Sequence, residues 1–139
     1  MFLKSITKGI LMFFSITFLL ISNGFANSYP SKPIKLIVPY GAGGGGDTTS
    51  RFIADLATDI LGVKVLVENK TGGGGTIGIG AVAKSNPDGY TIGFISTSPI
   101  TIRPHFMKMP YKPLDDLTYL GQFVSSPMPV ILRSDSQWK

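Results

Sequence analysis

Hydrophobic positions along the chain follow two patterns, one typical of strands and one typical of helices. Short runs rich in β-branched residues stand at 34–38, 63–67 and 90–95, and each predicts a strand. From Phe52 to Leu61 apolar pairs recur every four residues, which predicts a helix with one apolar stripe. A shorter helix is predicted at 76–84. This order of strands and helices predicts an α/β fold with a parallel sheet covered by helices.

Glycine-rich segments follow the first two predicted strands. The first glycine segment (residues 41–46) reads Gly-Ala-Gly-Gly-Gly-Gly, and the second glycine segment (residues 72–75) is an unbroken glycine run. Both lie between the carboxyl end of a strand and the start of a helix, where open α/β sheets bind ligands. Backbone amides without a neighbouring Cβ, together with the helix dipole, favour a small anion such as a carboxylate. Either segment alone can equally be no more than a tight connection.

Other polar groups are predicted at the same edge of the sheet. The third strand ends at the hydroxyl tip (residues 96–98, Ser-Thr-Ser), which would add donors there. Asp47 has two interpretations, because its carboxylate can be the N-cap of the helix or can accept a hydrogen bond from a solute. Tyr40 can pack in the core or form the apolar wall of a pocket.

A dinucleotide-binding site is the alternative interpretation of the first glycine segment. The segment satisfies the G-x-G-x-x-G pattern, and Glu68 stands where the acid that holds a ribose is expected. The chain would then be the Rossmann-like domain of an exported oxidoreductase. A glycine run satisfies almost any glycine pattern, however, and Asp47 at the helix start would repel a pyrophosphate. A P-loop is excluded because no Lys-Ser or Lys-Thr follows the glycines.

The amino terminus has the pattern of an export signal. Lys4 and Lys8 precede an apolar run at residues 10–21, and Gly24-Phe25-Ala26 is a small-x-small cleavage site. The run is shorter than the ~20 residues of a membrane-spanning helix. We therefore expect a signal peptide at residues 1–26 that is cleaved, rather than a membrane anchor, and a mature protein in the periplasm.

Composition excludes several classes of function. The 13 basic residues exceed the 8 acidic ones, but they are scattered singly, without the basic tract that nucleic-acid binding requires. The chain has no cysteine and a single histidine, His105, which stands between Pro104 and Phe106. Thiolate chemistry, His-rich metal sites and a Ser-His-Asp arrangement are therefore not expected. We expect neither an enzyme nor a bound cofactor or metal.

Separate segments spread over the chain together carry a family resemblance. They are Pro-Ile-Lys-Leu-Ile-Val-Pro-Tyr at 33–40, the glycines with Asp47 and Arg51, Val-Glu-Asn-Lys at 67–70, the second glycine segment with Ile-Gly at 77–78, Ala-Val-Ala-Lys at 81–84, Pro-Asp-Gly-Tyr-Thr at 87–91 and Ser-Gln-Trp-Lys at 136–139. In this order they resemble the Bug-type, TctC-like extracytoplasmic solute receptors of tripartite tricarboxylate transporters.

This resemblance implies a periplasmic binding protein of the Venus-flytrap type, in which two hinged lobes enclose a small carboxylate. Family members continue through a second lobe, so we expect an incomplete first lobe at 27–106, a truncated crossover at 107–139 and a second lobe that is largely missing. The expected partners are the membrane subunits of the transporter, and the receptor itself is expected to be a monomer. By the same resemblance the ligand-binding residues are Tyr40, Gly45, Gly46, Asp47, Gly75, Thr76, Ile77, Ser96, Thr97 and Ser98.

Overall fold

The computed structural model describes residues 29–125 and 129–138, so the predicted signal peptide at 1–26 lies outside the described residues. The described chain forms the strands β1 (Ile34–Val38), β2 (Val65–Asn69) and β3 (Thr91–Gly93) and the helices α1 (Gly45–Leu61) and α2 (Thr76–Ala83). A 3-10 turn at Gly73–Gly75 precedes α2. A π-helical turn at Ser98–Ile102 and a 3-10 turn at Arg103–His105 follow β3.

The strands form one parallel sheet in the order β2-β1-β3. In the central strand, Leu36 lies opposite Val67 on one side and Ile92 on the other. The predicted α/β fold with a parallel sheet is therefore confirmed. The third strand is shorter than the predicted run at 90–95, although the N–H of Phe94 still donates to the carbonyl of Ile37 at 2.9 Å.

The two helices cover opposite faces of the sheet. On the α1 face, the buried residues Leu36, Val38 and Ala54 form a core, against which half-buried side chains of the sheet and its edge pack. On the other face, α2 buries Ile79 against the sheet, and Gly93 of β3 faces Val82 of α2. Removing these apolar surfaces from water stabilises the fold by about 25 cal/mol per Å².

Helix α1 begins at Gly45, before Asp47, and buries a different face from its predicted apolar stripe. Its buried residues are Asp47, Ser50 and Ala54. By contrast, Phe52 is 62% exposed and Ile60 is 82% exposed. Small side chains let the helix approach the sheet closely, and the longest apolar side chains therefore face outward. The periodicity identified the helix correctly but not which side of it meets the sheet.

The chain after the last 3-10 turn returns to α2 before it extends along the surface. No helix or strand occurs at 106–125 or 129–138. Pro110 lies beside Gly80 of α2, and the buried hydroxyl of Tyr111 donates to the carbonyl of Pro99 at 3.1 Å. In the described ranges we find no helix with the length and apolar character needed to cross a membrane. The division of the chain at residue 106 into a lobe and a crossover stays a prediction.

One carboxylate ties the start of α1 to the ends of β1 and β2. Asp47 Oδ2 accepts hydrogen bonds from the N–H of Gly43 at 2.8 Å and from Arg51 Nε at 3.0 Å. Its Oδ1 accepts from Asn69 Nδ2 at 2.8 Å, and the same nitrogen donates to the carbonyl of Tyr40 at 2.9 Å. The predicted role of Asp47 as N-cap is wrong, because Gly44 is the N-cap. Asp47 lies inside the first turn, and its carboxylate accepts from the N–H of Gly43, which precedes the helix.

These hydrogen bonds hold Asp47 in its charged form. The bond from Arg51 above all, followed by those from Gly43 and Asn69, lowers the pKa of Asp47 from 3.8 to about 2. They outweigh the desolvation of a residue that is only 2% exposed, which acts in the opposite direction. The protonation state of Asp47 is therefore linked to folding.

We expect the stability of the protein to decrease at acidic pH. Because the pKa of Asp47 is lower in the folded protein, its contribution is complete above 3.8 and is lost as the pH falls through about 2. Urea unfolding across this range measures the effect. Asp47→Asn should lower the unfolding midpoint at neutral pH and flatten the acid slope. Glu68→Gln, which removes a carboxyl bonded to Lys35, is the control and should leave the Asp47 part of the slope in place.

A second prediction concerns the contact between α2 and the end of β1. A Cβ added at Gly78 would lie 2.7 Å from the carbonyl oxygen of Lys70 and 2.8 Å from Pro39 Cβ, and neither can move without shifting the backbone. Gly78→Ala should therefore reduce the free energy of unfolding by about 1–3 kcal/mol. The matched control is Gly121→Ala, because a Cβ at Gly121 meets no atom within 4 Å. Equal midpoints for the two variants in urea would contradict this packing argument.

Candidate functional site

An open pocket of about 720 Å³ lies at the edge of the sheet where the strands end. Its lining combines the first glycine segment and the start of α1 with side chains that follow β1 and β3, and one residue comes from the segment after residue 106. The lining residues are Tyr40, Gly41, Ala42, Gly44, Gly45, Gly46, Thr49, Phe94, Ser96 and Val124. The volume is in the range of small-molecule binding sites.

Tyr40 brings the three strand ends together. Its hydroxyl shares a short hydrogen bond with Ser96 of the hydroxyl tip. A Cβ added at Gly75 in the second glycine segment would lie 3.3 Å from the same hydroxyl oxygen, and one added at Gly46 would lie 3.3 Å from Tyr40 Cδ2. The three polar groups that the sequence predicts at neighbouring strand ends therefore meet around one side chain.

The first turn of α1 presents unpaired backbone donors to this pocket. Within the described residues, no acceptor takes the N–H of Gly45, Gly46 or Asp47, and the first amide of the helix with a backbone acceptor is that of Thr48. Gly45 and Gly46 also line the pocket. Free amides at the start of a 17-residue helix, aligned with its dipole, suit an anion.

The second glycine segment needs glycine for its backbone conformation. All four of its residues have positive φ, with 100° at Gly75. The guanidinium of Arg103 packs directly over Gly74, where a Cβ would lie 2.0 Å from Arg103 Nη2. The segment is therefore a turn that only glycine forms without strain, and its outer side is covered by a cationic side chain.

The structure brings some of the predicted ligand-binding residues into the pocket and leaves others outside its lining. Tyr40, Gly45, Gly46 and Ser96 line it, whereas Asp47, Gly75, Thr76, Ile77, Thr97 and Ser98 do not. Thr76 is nearly buried, and its hydroxyl donates to the carbonyl of Gly73 at 3.1 Å. Ile77 is exposed and lies against Gly72. The carbonyl of Thr97 accepts hydrogen bonds inside the π-helical turn. Their ligand-binding roles stay predictions.

Outside the first glycine segment, sequence reasoning missed three side chains of the pocket. Phe94 belongs to the predicted third strand, yet it follows β3 directly and turns into the site. Thr49 lies in the second turn of α1, where its hydroxyl donates to the carbonyl of Gly45 at 2.8 Å. Val124 comes from the predicted crossover. Alternation along the third strand places Phe94 on the α1 face, but no local pattern indicates the long-range approach of Val124.

The dinucleotide interpretation is not supported. Glu68 forms an ion pair with Lys35 at 3.0 Å, and that hydrogen bond is the main cause that lowers the pKa of Glu68. Alternation along β2 places Glu68 on the face opposite the one that holds Asn69 and α1, so it does not face the first glycine segment. In residues 29–125 and 129–138 no group of three or more His, Cys, Asp or Glu side chains converges as metal ligands.

Comparison with known proteins gives consistent matches along the chain. BugT of Bordetella pertussis is 40% identical over 108 residues, which cover 76% of this chain and 33% of BugT. The chain spans about a third of the length of the curated relatives that it matches, with 33% of each of the first two covered.

Two solved structures from Rhodopseudomonas palustris share the fold. Rpa4515, solved with adipate, is 29% identical with a TM-score of 0.59 over 62% of this chain and 29% of its own. MatC, solved with bound malate, is 30% identical with a TM-score of 0.56 over 63% of this chain and 30% of its own.

A family model provides the assignment. The model described as the tripartite tricarboxylate transporter family receptor matches residues 49–139, which is more than half of the sequence. The matched range begins within α1 and includes β2, the second glycine segment and the hydroxyl tip. Together with the relatives and the shared fold, this match shows that the chain belongs to the TctC family of tripartite tricarboxylate transporter receptors.

Proposed function

We propose that the protein is a periplasmic solute receptor, rather than an enzyme, which captures a small carboxylate for a tripartite tricarboxylate transporter. The observation that carries the proposal is the set of unpaired amides at the start of α1, beside an open pocket. The solved relatives add support, because MatC holds malate and Rpa4515 was solved with adipate. Both ligands are small carboxylates.

The chemistry of the pocket suits a carboxylate oxygen. Such an oxygen accepts several hydrogen bonds, and the N–H groups of Gly45 and Gly46 are donors without a Cβ beside them. Asp47 is anionic and lies in the same turn, but its charge is balanced by Arg51 at 3.0 Å. The carboxylate of a solute therefore meets the helix dipole and free amides, with the nearest negative charge already paired.

The predicted site residues take different roles in this proposal. Gly45, Gly46, Tyr40 and Ser96 contact the solute, and Asp47 holds the first turn of α1 in place. The second glycine segment, with Gly75, Thr76 and Ile77, borders the site on the other side of Tyr40, and the amides of Gly75 and Ile77 already donate to the carbonyl of Gly72. Thr97 and Ser98 support Ser96 within the hydroxyl tip. Water can bridge the longer distances to these groups.

The location and partners of the protein follow from the same proposal. Residues 1–26 direct export and are cleaved, and the mature receptor works as a monomer in the periplasm. A similar solved protein, 39% identical with a TM-score of 0.59, is described as a periplasmic transporter, which supports this location. The solute-loaded receptor then delivers its carboxylate to the membrane subunits of the transporter.

We expect the full-length protein to bind small carboxylates and not dinucleotides. Titration calorimetry with malate, succinate, adipate and citrate, and with NAD in a parallel experiment, provides the test. Heat of binding with at least one carboxylate and none with NAD is the expected result. Binding of NAD without a response to any carboxylate would refute the receptor proposal.

The backbone mechanism is tested by a substitution at Gly45. A Cβ there meets no atom within 4 Å, so Gly45→Val leaves the turn intact and places methyl groups over the free amides. Carboxylate affinity should fall by roughly tenfold or more, because about one charge-assisted hydrogen bond to the solute is lost. Gly121→Val, outside the pocket, and Lys64→Ala, a surface cation, should retain the affinity of the parent. A larger loss with Lys64→Ala would mean that side-chain charge, and not the backbone, binds the solute.

A further inference from the structure

We propose that Arg103 is a specificity-determining residue of the solute site. Its guanidinium binds a second carboxylate of the solute, so the receptor favours dicarboxylates over monocarboxylates of the same carbon length. This inference rests on the proposed function of the same site. It adds the class of solute and the residue that selects it.

The backbone carries Arg103 from the hydroxyl tip to the second glycine segment. The π-helical turn at Ser98–Ile102 begins at the last residue of the tip, and the N–H of Arg103 donates to the carbonyl of Ser98 at its end. Arg103 then begins the 3-10 turn, where its carbonyl accepts two further backbone hydrogen bonds at 3.0 Å. A short, hydrogen-bonded segment therefore connects Ser96, which lines the pocket, to Arg103.

Two contacts hold this segment against the second glycine segment. Pro99 is buried, and a Cβ added at Gly75 would lie 3.2 Å from Pro99 Cγ. The carbonyl of Pro99 also accepts the hydrogen bond of the buried Tyr111 hydroxyl. At the neighbouring Gly74, a Cβ would lie 2.0 Å from Nη2, 2.4 Å from Cζ and 2.9 Å from Nε of Arg103. The guanidinium therefore lies directly against the backbone of this glycine.

Tyr40 connects the guanidinium to the amides of α1. Its Cδ2 faces Gly46 at the start of α1, and its hydroxyl faces Gly75. Because Gly74 is bonded to Gly75, the guanidinium of Arg103 lies within roughly 12 Å of the Tyr40 hydroxyl. In extended adipate the carboxylate carbons are about 6 Å apart, and a hydrogen bond at each end adds about 3 Å. A dicarboxylate on the amides of α1 can thus extend past Tyr40 towards Arg103.

The chemistry of Arg103 suits a carboxylate at this place. Its Nη1 donates to Met107 Sδ at 3.8 Å, and a thioether is a weak acceptor that a carboxylate oxygen can replace. The side chain is half-buried, so water screens its charge less than that of an exposed arginine. A guanidinium binds a carboxylate through two parallel hydrogen bonds. The adjoining turn consists of glycine, so its side chains do not compete with the solute.

Charge balance explains why a second carboxylate would be preferred. The free amides and the dipole of α1 compensate one negative charge at the first carboxylate. Arg103 compensates a second one at the other end of the solute. A monocarboxylate of the same length places a methyl group there, and the guanidinium then loses water without gaining an anion. The dicarboxylate avoids this cost.

The test compares solutes that differ in the second carboxylate. Adipate and hexanoate have the same number of carbon atoms, and malate and 2-hydroxybutyrate form a second such pair. Calorimetry on the full-length protein gives a dissociation constant for each solute. In at least one pair, the parent protein should bind the dicarboxylate roughly tenfold more tightly than the monocarboxylate.

Matched variants assign this preference to one side chain. Arg103→Gln should weaken binding of the dicarboxylate roughly tenfold and change that of the monocarboxylate by less than about twofold. Arg103→Lys, which keeps the charge, should recover part of the loss. Arg133→Gln makes the same change on a side chain that is 84% exposed, and it should keep the parent affinities. If Arg103→Gln does not fold, Arg103→Met replaces it, because its apolar stem can still cover Gly74.

The outcomes separate the inference from the proposed function. Equal binding of both members of each pair by the parent protein would overturn the inference and leave the receptor proposal in place. An equal loss for both solutes in Arg103→Gln would also overturn it, because Arg103 would then only support the glycine turn. A loss of preference in Arg133→Gln as large as in Arg103→Gln would mean a general effect of surface charge and would overturn it as well. No binding of any carboxylate would overturn both.

Discussion

The hydrogen bonds of Asp47 are the constraint on which the rest of the site depends. A single carboxylate joins the start of α1 to the residues that follow β1 and to the last residue of β2. The amides of Gly45 and Gly46 precede Asp47 in the same helical turn. The hydrogen bonds of Asp47 therefore fix the direction of these amides. Arg51, one turn further along α1, balances the negative charge of the Asp47 carboxylate. An anionic residue is thus compatible with the anion-binding site that we propose, because its charge is already paired with Arg51.

The sequence predicts the order of elements well because each element has a local cause. β-branched runs, glycine segments and the paired apolar positions of α1 depend only on neighbours in the chain. The convergence of the two glycine segments and the hydroxyl tip was also predictable, since the carboxyl ends of parallel strands share an edge. The structure adds that Tyr40 is the side chain where they meet.

Other features depend on long-range packing and could not be read from the chain. The outward position of Phe52 and Ile60 arises because Ser50 and Ala54 are small enough for close contact with the sheet. Periodicity marks an apolar stripe, but it does not say how close the neighbouring layer comes. Likewise, Phe94 and Val124 line the pocket because distant parts of the chain approach each other there. The sequence also does not show why a given glycine is required. Gly46 leaves space for the ring of Phe94, whereas Gly75 adopts a backbone conformation with positive φ.

Phe94 belongs both to the packed sheet and to the surface of the pocket. Part of a side chain that packs against the core is thus also exposed in the pocket where we propose that the solute binds. A change of ring size at Phe94 would therefore alter the packing at the edge of the sheet and the shape of the pocket together. Val124 lines the pocket without belonging to the core, so a substitution there would change the pocket with less effect on the fold. The pocket thus combines one lining residue that also packs in the core with another that does not.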